Sequence, residues 1–329
     1  MNSSAFSYNS RAETLCTLDA LSEHLRFTRI AAGCHLPEDF DTGHTLGGRI
    51  RGALGRALAR NLNPCWRGLP SAFELLFALP VVSPRPVCGK FFNPSRPYVL
   101  RLRTHGRVLT IEILLFGRAA IAGRAVRDGL AQALRNGVQV AVGRPASARL
   151  EPYNLAIDEL PVAPPLLPTC VHTLHLVSPL ALDRDGVRVL SAEALLNSMA
   201  ARVSAVAAWN DISLPDFPDF RHVPDLIVDF IGTRYLHWSR RRHADGEREV
   251  PMGGFLGSIP ISGPGLDVIR PVLRLLPFIS LGMGTVFGNG EVAVSCEDDM
   301  FAAHDSLPRG QGYPLGDSLR LLAAGQPNS

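Results

Sequence analysis

Four glycines fall within nine residues at Gly282-x-Gly284-x-x-x-Gly288-x-Gly290. Such spacing permits positive φ and close approach of another backbone, and leaves several N–H groups able to point at an anion. A phosphate is the natural guest; the alternative is a tight helix-to-strand turn with no ligand. A dinucleotide fingerprint does not fit, because that motif has a strand before its glycines and a helix after them, and the order here is reversed. A second candidate is His44, in Thr42-Gly43-His44-Thr45 just ahead of a helix. A turn there exposes the side chain, a helix N-terminus favours anions, and imidazole exchanges a proton near neutral pH. A third group runs from Arg234 to Val250, where five arginines, Arg234, Arg240, Arg241, Arg242 and Arg248, are interleaved with Tyr235, His237, Trp238 and His243. Charge and stacking surfaces together suit single-stranded nucleic acid, while the plainer alternative is an exposed segment solubilised by charge.

The elements that must position these groups can be read from periodicity. From Leu46 to Arg60, the residues Leu46, Ile50, Leu54, Ala57 and Leu58 make one apolar stripe of a helix, with Arg49, Arg56 and Arg60 in a narrow arc at its border. That arc could hold a phosphate backbone or form a solvated face. Before this helix, His24 to Leu36 reads as a strand. After it, Tyr98–Arg103 and Val108–Phe116 read as a hairpin pair, a helix covers about Ala120 to Asn136, and a further strand region spans Val138 to Leu150. The order is βαββαβ, the ferredoxin-like pattern, over a first domain of residues 15–158. Residues 159–169, with prolines at 161, 164, 165 and 168, read as a linker. A second domain over 170–300 opens with a strand at Val171–Leu182, whose His172 and His175 receive no role. Ser191 then caps a helix from Ala192 to Trp209, with Leu195, Leu196, Met199, Val203 and Val206 as its core face. Asp245-Gly246 marks either a hairpin tip or part of a helical projection. Leu266, Ile269, Leu273 and Leu276 form the helix that leads into the glycine cluster, and Val292 and Val294 alternate as a strand beyond it. Residues 301–329 read as a loosely ordered tail.

Composition bounds the class of function. At 329 residues and 46% hydrophobic content, the chain can bury two ordinary cores. A formal charge of +3 is too mild to establish a nucleic-acid partner alone. Of the 33 basic residues, all but Lys90 are arginine, whose planar fork suits phosphates and stacked bases. A GC-rich genome, with its arginine codons, would by itself produce most of that bias, so placement has to decide. The six cysteines are scattered without a C-x-x-C pair, so no metal site is expected. The sequence shows no leader peptide and no apolar run long enough to span a bilayer, which points to the cytoplasm and away from a membrane.

Met252-Gly-Gly-Phe-Leu-Gly257, the helix after it, and Gly282 to Gly290 resemble the C-terminal domain of the CRISPR-associated endoribonucleases that cut precursor CRISPR RNA, within the repeat-associated mysterious protein superfamily. Leu-Phe-Gly-Arg118 is similar to the same family in the first domain. The resemblance is strong over residues 230–296, looser over 20–155, and absent from both termini. It implies an α+β fold of two tandem ferredoxin-like (RRM-like) domains, with a C-terminal glycine-rich loop lying against the RNA backbone. It also implies metal-independent cleavage within the repeat: the ribose 2′-hydroxyl attacks the adjacent phosphate, giving a 2′,3′-cyclic phosphate and a 5′-hydroxyl. On this resemblance His44 is expected to be the base, with His237, Tyr235 and His243 in reserve. Some members use lysine as the cationic partner; with Lys90 alone available, Arg241 and Arg242, helped by Arg49, are expected to hold the phosphate. Arg56, Arg60, Arg234, Tyr235, His237, Arg240, His243, Arg248, Gly282, Gly284, Gly288 and Gly290 are expected along the RNA. Neither a cofactor nor a metal is implied. The implied partners are the CRISPR repeat RNA, kept after cleavage, and subunits of a CRISPR effector complex. Two alternatives remain at this stage: a non-catalytic crRNA-binding subunit of such a complex, and a protein-interaction module that binds no RNA.

Overall fold

The computed structural model describes residues 14–60, 70–78, 95–144, 146–160, 171–184, 187–220, 223–242 and 248–296, with the backbone alone at 184, 187, 240–242 and 248–251. Two antiparallel sheets of the same topology, with the helices between their strands, account for most of them. In the first, β1 (Phe27–His35), α1 (Leu46–Ala59), β2 (Tyr98–His105), β3 (Val108–Phe116), α2 (Gly123–Asn136) and β4 (Pro152–Leu160) follow in sequence. The sheet order is β2-β3-β1-β4, antiparallel throughout. Strand β3 is apolar almost throughout, and Ile111, Ile113 and Leu115 are completely buried, as are Leu130 and Leu134 of α2. Helices α1 and α2 approach closely at Gly129, where a Cβ would sit 2.6 Å from Leu58 Cδ2.

One strand differs from the sequence reading. Val138–Leu150 does not close the sheet; Val138–Gln139 and Ser147–Ala148 pair with each other, and Pro152–Leu160 takes the place beside β1. Gly137 and Gly143, both at positive φ, fold the chain back between these short strands, and the Leu150 N–H donates to Leu134 O. The true strand is inconspicuous because it lies at an edge and is half exposed along its length, so apolar alternation is weak. The polar N-terminus, the prolines at 161–168 and the C-terminal tail lie outside the described residues.

The second array repeats the order: β5 (Val171–Leu180), α3 (Ala192–Trp209), β6 (Thr233–Leu236), β9 (Gly254–Ser262), α4 (Leu266–Ile279) and β10 (Val292–Cys296). β5 lies between β9 and β10, and β6 pairs on the far side of β9, continuing the short strand Ile227–Val228. The Ser191 hydroxyl accepts the Ala194 N–H and caps α3 as read from the sequence. Between β6 and β9 the chain inserts β7 (Ser239–Arg242) and β8 (Arg248–Pro251), paired antiparallel with Arg242 opposite Arg248. That pairing makes the arginine-rich stretch a hairpin rather than a helical projection, although Asp245-Gly246 itself lies outside the described residues. The molecule is thus α+β, with two tandem ferredoxin-like domains and a glycine-rich loop between α4 and β10.

The two sheets are joined by apolar packing and by buried charge. Phe27 of β1 and Phe278 of α4 stack with ring centroids 5.8 Å apart. Buried Arg101 on β2 donates to the carbonyls of Pro277 and Phe278 and lies 3.9 Å from Glu291. Arg103 reaches Glu291 at 2.5 Å and Glu112 at 3.5 Å, and Arg29 adds a contact of 3.1 Å to Glu112. Arg202 of α3, fully buried, donates to Ile279 O at 2.7 Å and lies over the Phe116 ring; burial pulls its pKa down to about 9.

Candidate nucleic-acid interface

His44 stands exposed on the turn before α1, and the reason the turn holds its shape is Arg49 one helical turn onward. The expected arc of three arginines divides here. Arg56 and Arg60 are exposed, but Arg49, expected beside a phosphate, turns inward and is buried. Its guanidinium donates to Gln139 O at 2.7 Å, to Val140 O at 2.5 Å and to Asp41 O, and pairs with the Asp41 carboxylate at 3.7 Å. Asp41 in turn accepts the Gly43 N–H at 2.8 Å, one residue before His44. Burial lowers the Arg49 pKa, and Asp41 partly offsets this. The physical reason for the inward turn is that a planar fork can satisfy three carbonyls left over by an irregular loop, which no other side chain does as well.

Across from His44 lies β6 with the root of the hairpin. The His44 and Trp238 rings stack with centroids 5.1 Å apart and planes inclined by 30°. Tyr235 is exposed, set edge-on against Phe255 at 5.0 Å and 6.5 Å from the exposed His237 ring. Arg234 is exposed on the same strand. Arg240, Arg241, Arg242 and Arg248 follow on the hairpin backbone, and His243 lies outside the described residues.

The glycine loop closes the third side. Gly282, Gly284, Gly288 and Gly290 all adopt positive φ, as the spacing required. The N–H groups, however, are largely engaged within the protein. Gly282 donates to the Ser198 hydroxyl, Met283 to Ala181 O, Phe287 and Asn289 to Gly284 O, Gly288 to Thr285 O, and Gly290 to Pro179 O. The glycines are needed for close approach: a Cβ on Gly290 would sit 1.7 Å from Leu281 O. The loop also abuts the start of α1, where a Cβ on Gly47 would meet Phe287 O at 1.8 Å. The reading of a cradle with many free amides therefore gives way to a packed loop that braces the His44 helix. Arg51, which the sequence reading passed over, helps hold this junction: its guanidinium lies 4.7 Å from the Phe77 ring centre and 4.8 Å from that of Phe287, and it donates to the Tyr98 hydroxyl at 3.1 Å. Its signal in the sequence was its place among the arginines of α1, but nothing there distinguished it from its exposed neighbours.

The two histidines of β5 serve the sheet. His175 bridges the Ser258 and Ser295 hydroxyls at 3.0 and 2.8 Å, and burial lowers its pKa. His172 faces the Cys296 thiol at 3.0 Å. Among the described residues no cluster of three or more His, Cys, Asp or Glu could hold a metal ion, and no helix is long and apolar enough to cross a membrane.

Two ferredoxin-like domains in tandem, with a glycine-rich loop between α4 and β10, define the class of fold. Residues 174–292 match the model of the CRISPR-associated endoribonuclease Cas6 family, a span that takes in most of residues 230–296, where the resemblance in sequence is strongest. Comparison with curated proteins gives no match in sequence. Among solved structures, a Thermus thermophilus Cas6 (TTHB231) aligns with TM-score 0.47 at 13% identity, covering 82% of this chain and 99% of that one. A Cas6 (TTHA0078) product complex gives 0.45 at 16% over 82% and 99%, and a structure titled as a RAMP protein binding different RNA substrates gives 0.45 at 11% over the same shares.

Proposed function

We propose that this protein cleaves precursor CRISPR RNA within the repeat, without a metal, and retains the product as mature crRNA. The observation that carries the reading is the contact of His44 with Trp238: it puts the first domain's exposed imidazole, at the start of a helix, against the point where β6 passes into the arginine-bearing hairpin of the second domain. His44 is the base that takes the proton from the ribose 2′-hydroxyl. The freed oxygen attacks the adjacent phosphorus, the bond to the 5′-oxygen breaks, and that oxygen leaves with a proton, giving a 2′,3′-cyclic phosphate and a 5′-hydroxyl. Arg241 and Arg242 neutralise the crowded phosphate oxygens, acting as fixed charges, since a guanidinium stays protonated. Arg234, Arg240, Arg248, Tyr235, His237, Arg56 and Arg60 hold the RNA on either side, with His243 as a further contact. The glycine loop contributes shape, with Arg49 acting behind the site. Specificity follows the shape of the repeat hairpin and a few unpaired bases, because duplex RNA hides its base edges in a deep groove. Retention of the product suits a subunit that passes into an effector complex.

End-group analysis of the products tests the mechanism. Cleavage of repeat RNA should leave a cyclic phosphate on the upstream fragment and a free 5′-hydroxyl on the downstream one. A 5′-phosphate would overturn the 2′-hydroxyl mechanism, and binding without cleavage would make the protein a holding subunit.

A further inference from the structure

Trp238 carries no role in the reading above beyond its contact with His44. We infer that Trp238 is a base-stacking residue of the cleavage site, taking the nucleobase that adjoins the bond to be cut; the inference rests on the RNA-cleaving reading. Its backbone is pinned where β6 passes into the hairpin, with Met252 N–H donating to Trp238 O at 2.9 Å. The indole is half-buried, so part of it remains open to a ligand. Trp209 is a useful contrast. It is fully buried, and its indole N–H donates to Ser95 O at 3.0 Å, which makes it a core residue.

The neighbour on the Trp238 ring is what points to a particular nucleotide. The His44 imidazole covers part of the indole with ring centroids 5.1 Å apart, so a nucleobase stacked on the indole surface left open shares one aromatic platform with it, and the adjoining ribose is brought towards the same imidazole. Stacking and proton removal thereby act on one nucleotide. Because every base offers a π face, the indole fixes position without dictating sequence, which complements recognition by hairpin shape. Tyr235, exposed three residues earlier on β6, extends the aromatic surface along the chain.

The test uses the full chain and a repeat RNA made uncleavable by a 2′-deoxy sugar at the cut, with single abasic substitutions placed one at a time along it. In the wild type, one abasic position adjoining the cut should weaken binding by roughly 5- to 150-fold, the range for loss of one aromatic stack. Trp238→Leu and Trp238→Met, which fill the half-buried site without a π face, should lower affinity for intact RNA by a similar factor and erase the penalty at that position. Trp238→Phe should restore most of it. A penalty that persists in both Leu and Met variants overturns the inference, as does a Trp238-dependent nucleotide several residues from the cut. In either case the cleavage reading stands, whereas failure of the wild type to bind repeat RNA removes both.

Discussion

At the scale of single residues, the proposed base and an arginine expected beside it lie at different depths. His44 is exposed and Arg49 is buried, although in the sequence Arg49 shares a narrow arc with Arg56 and Arg60, which are exposed. Helical periodicity gives the arc on which Arg49 lies but not the depth to which a long side chain reaches. The deciding facts are the carbonyls of Gln139 and Val140, some ninety residues away, which no local pattern announces. Arg49→Lys should therefore keep a charge but lose the fork. Leaving buried carbonyls without donors, it should destabilise the protein by about 1–3 kcal/mol in urea unfolding. Under conditions where the variant remains folded, RNA affinity should stay near wild type while the cleavage rate falls. Loss of affinity with an unchanged rate would return Arg49 to the phosphate.

At the scale of elements, the glycine-rich loop and α1 act as one junction. Gly47 has an ordinary helical conformation, so its lack of a side chain is explained by the approach of Phe287 O and not by backbone freedom. Gly47→Ala should push the loop off the helix and cost about 1–3 kcal/mol of stability, with cleavage reduced further because His44 stands at the same helix end. A variant with wild-type melting and wild-type cleavage would contradict this. The loop's glycines, the helix before it and the strand after it were all legible in the sequence, because positive φ and alternation are local properties. The destination of the amides was not, since it depends on Ser198, Ala181 and Pro179 across the second domain. For a related reason β4 was misplaced: an edge strand needs apolar residues on only part of one face, so its pattern fades.

At the scale of the whole molecule, a buried network of charge fastens the two sheets. Glu291, at the end of the glycine loop, faces Arg101 and Arg103 from the first sheet, and Glu112 shares Arg103. Breaking a buried pair leaves an uncompensated charge, so Glu291→Gln should cost about 3–5 kcal/mol, read as a shift in the unfolding midpoint. A cost within a few tenths of a kcal/mol would mean that the network contributes little to the docking of the domains. Neither arginine nor glutamate showed this partnership in sequence, where 188 positions separate Arg103 from Glu291. The fold class, by contrast, was legible twice over, in the βαββαβ order of the first half and in the family resemblance of the second.

The central claim is that the protein uses His44 to activate a ribose hydroxyl without a metal. Single-turnover cleavage of labelled repeat RNA in EDTA, by wild type and by His44→Ala, tests it most directly. The wild type should cut, a 2′-deoxy sugar at the scissile position should abolish cutting, and His44→Ala should bind equally well but cleave about 10²- to 10⁴-fold more slowly. Cleavage by His44→Ala at the wild-type rate, or wild-type activity that vanishes in EDTA and returns with magnesium, would contradict the account.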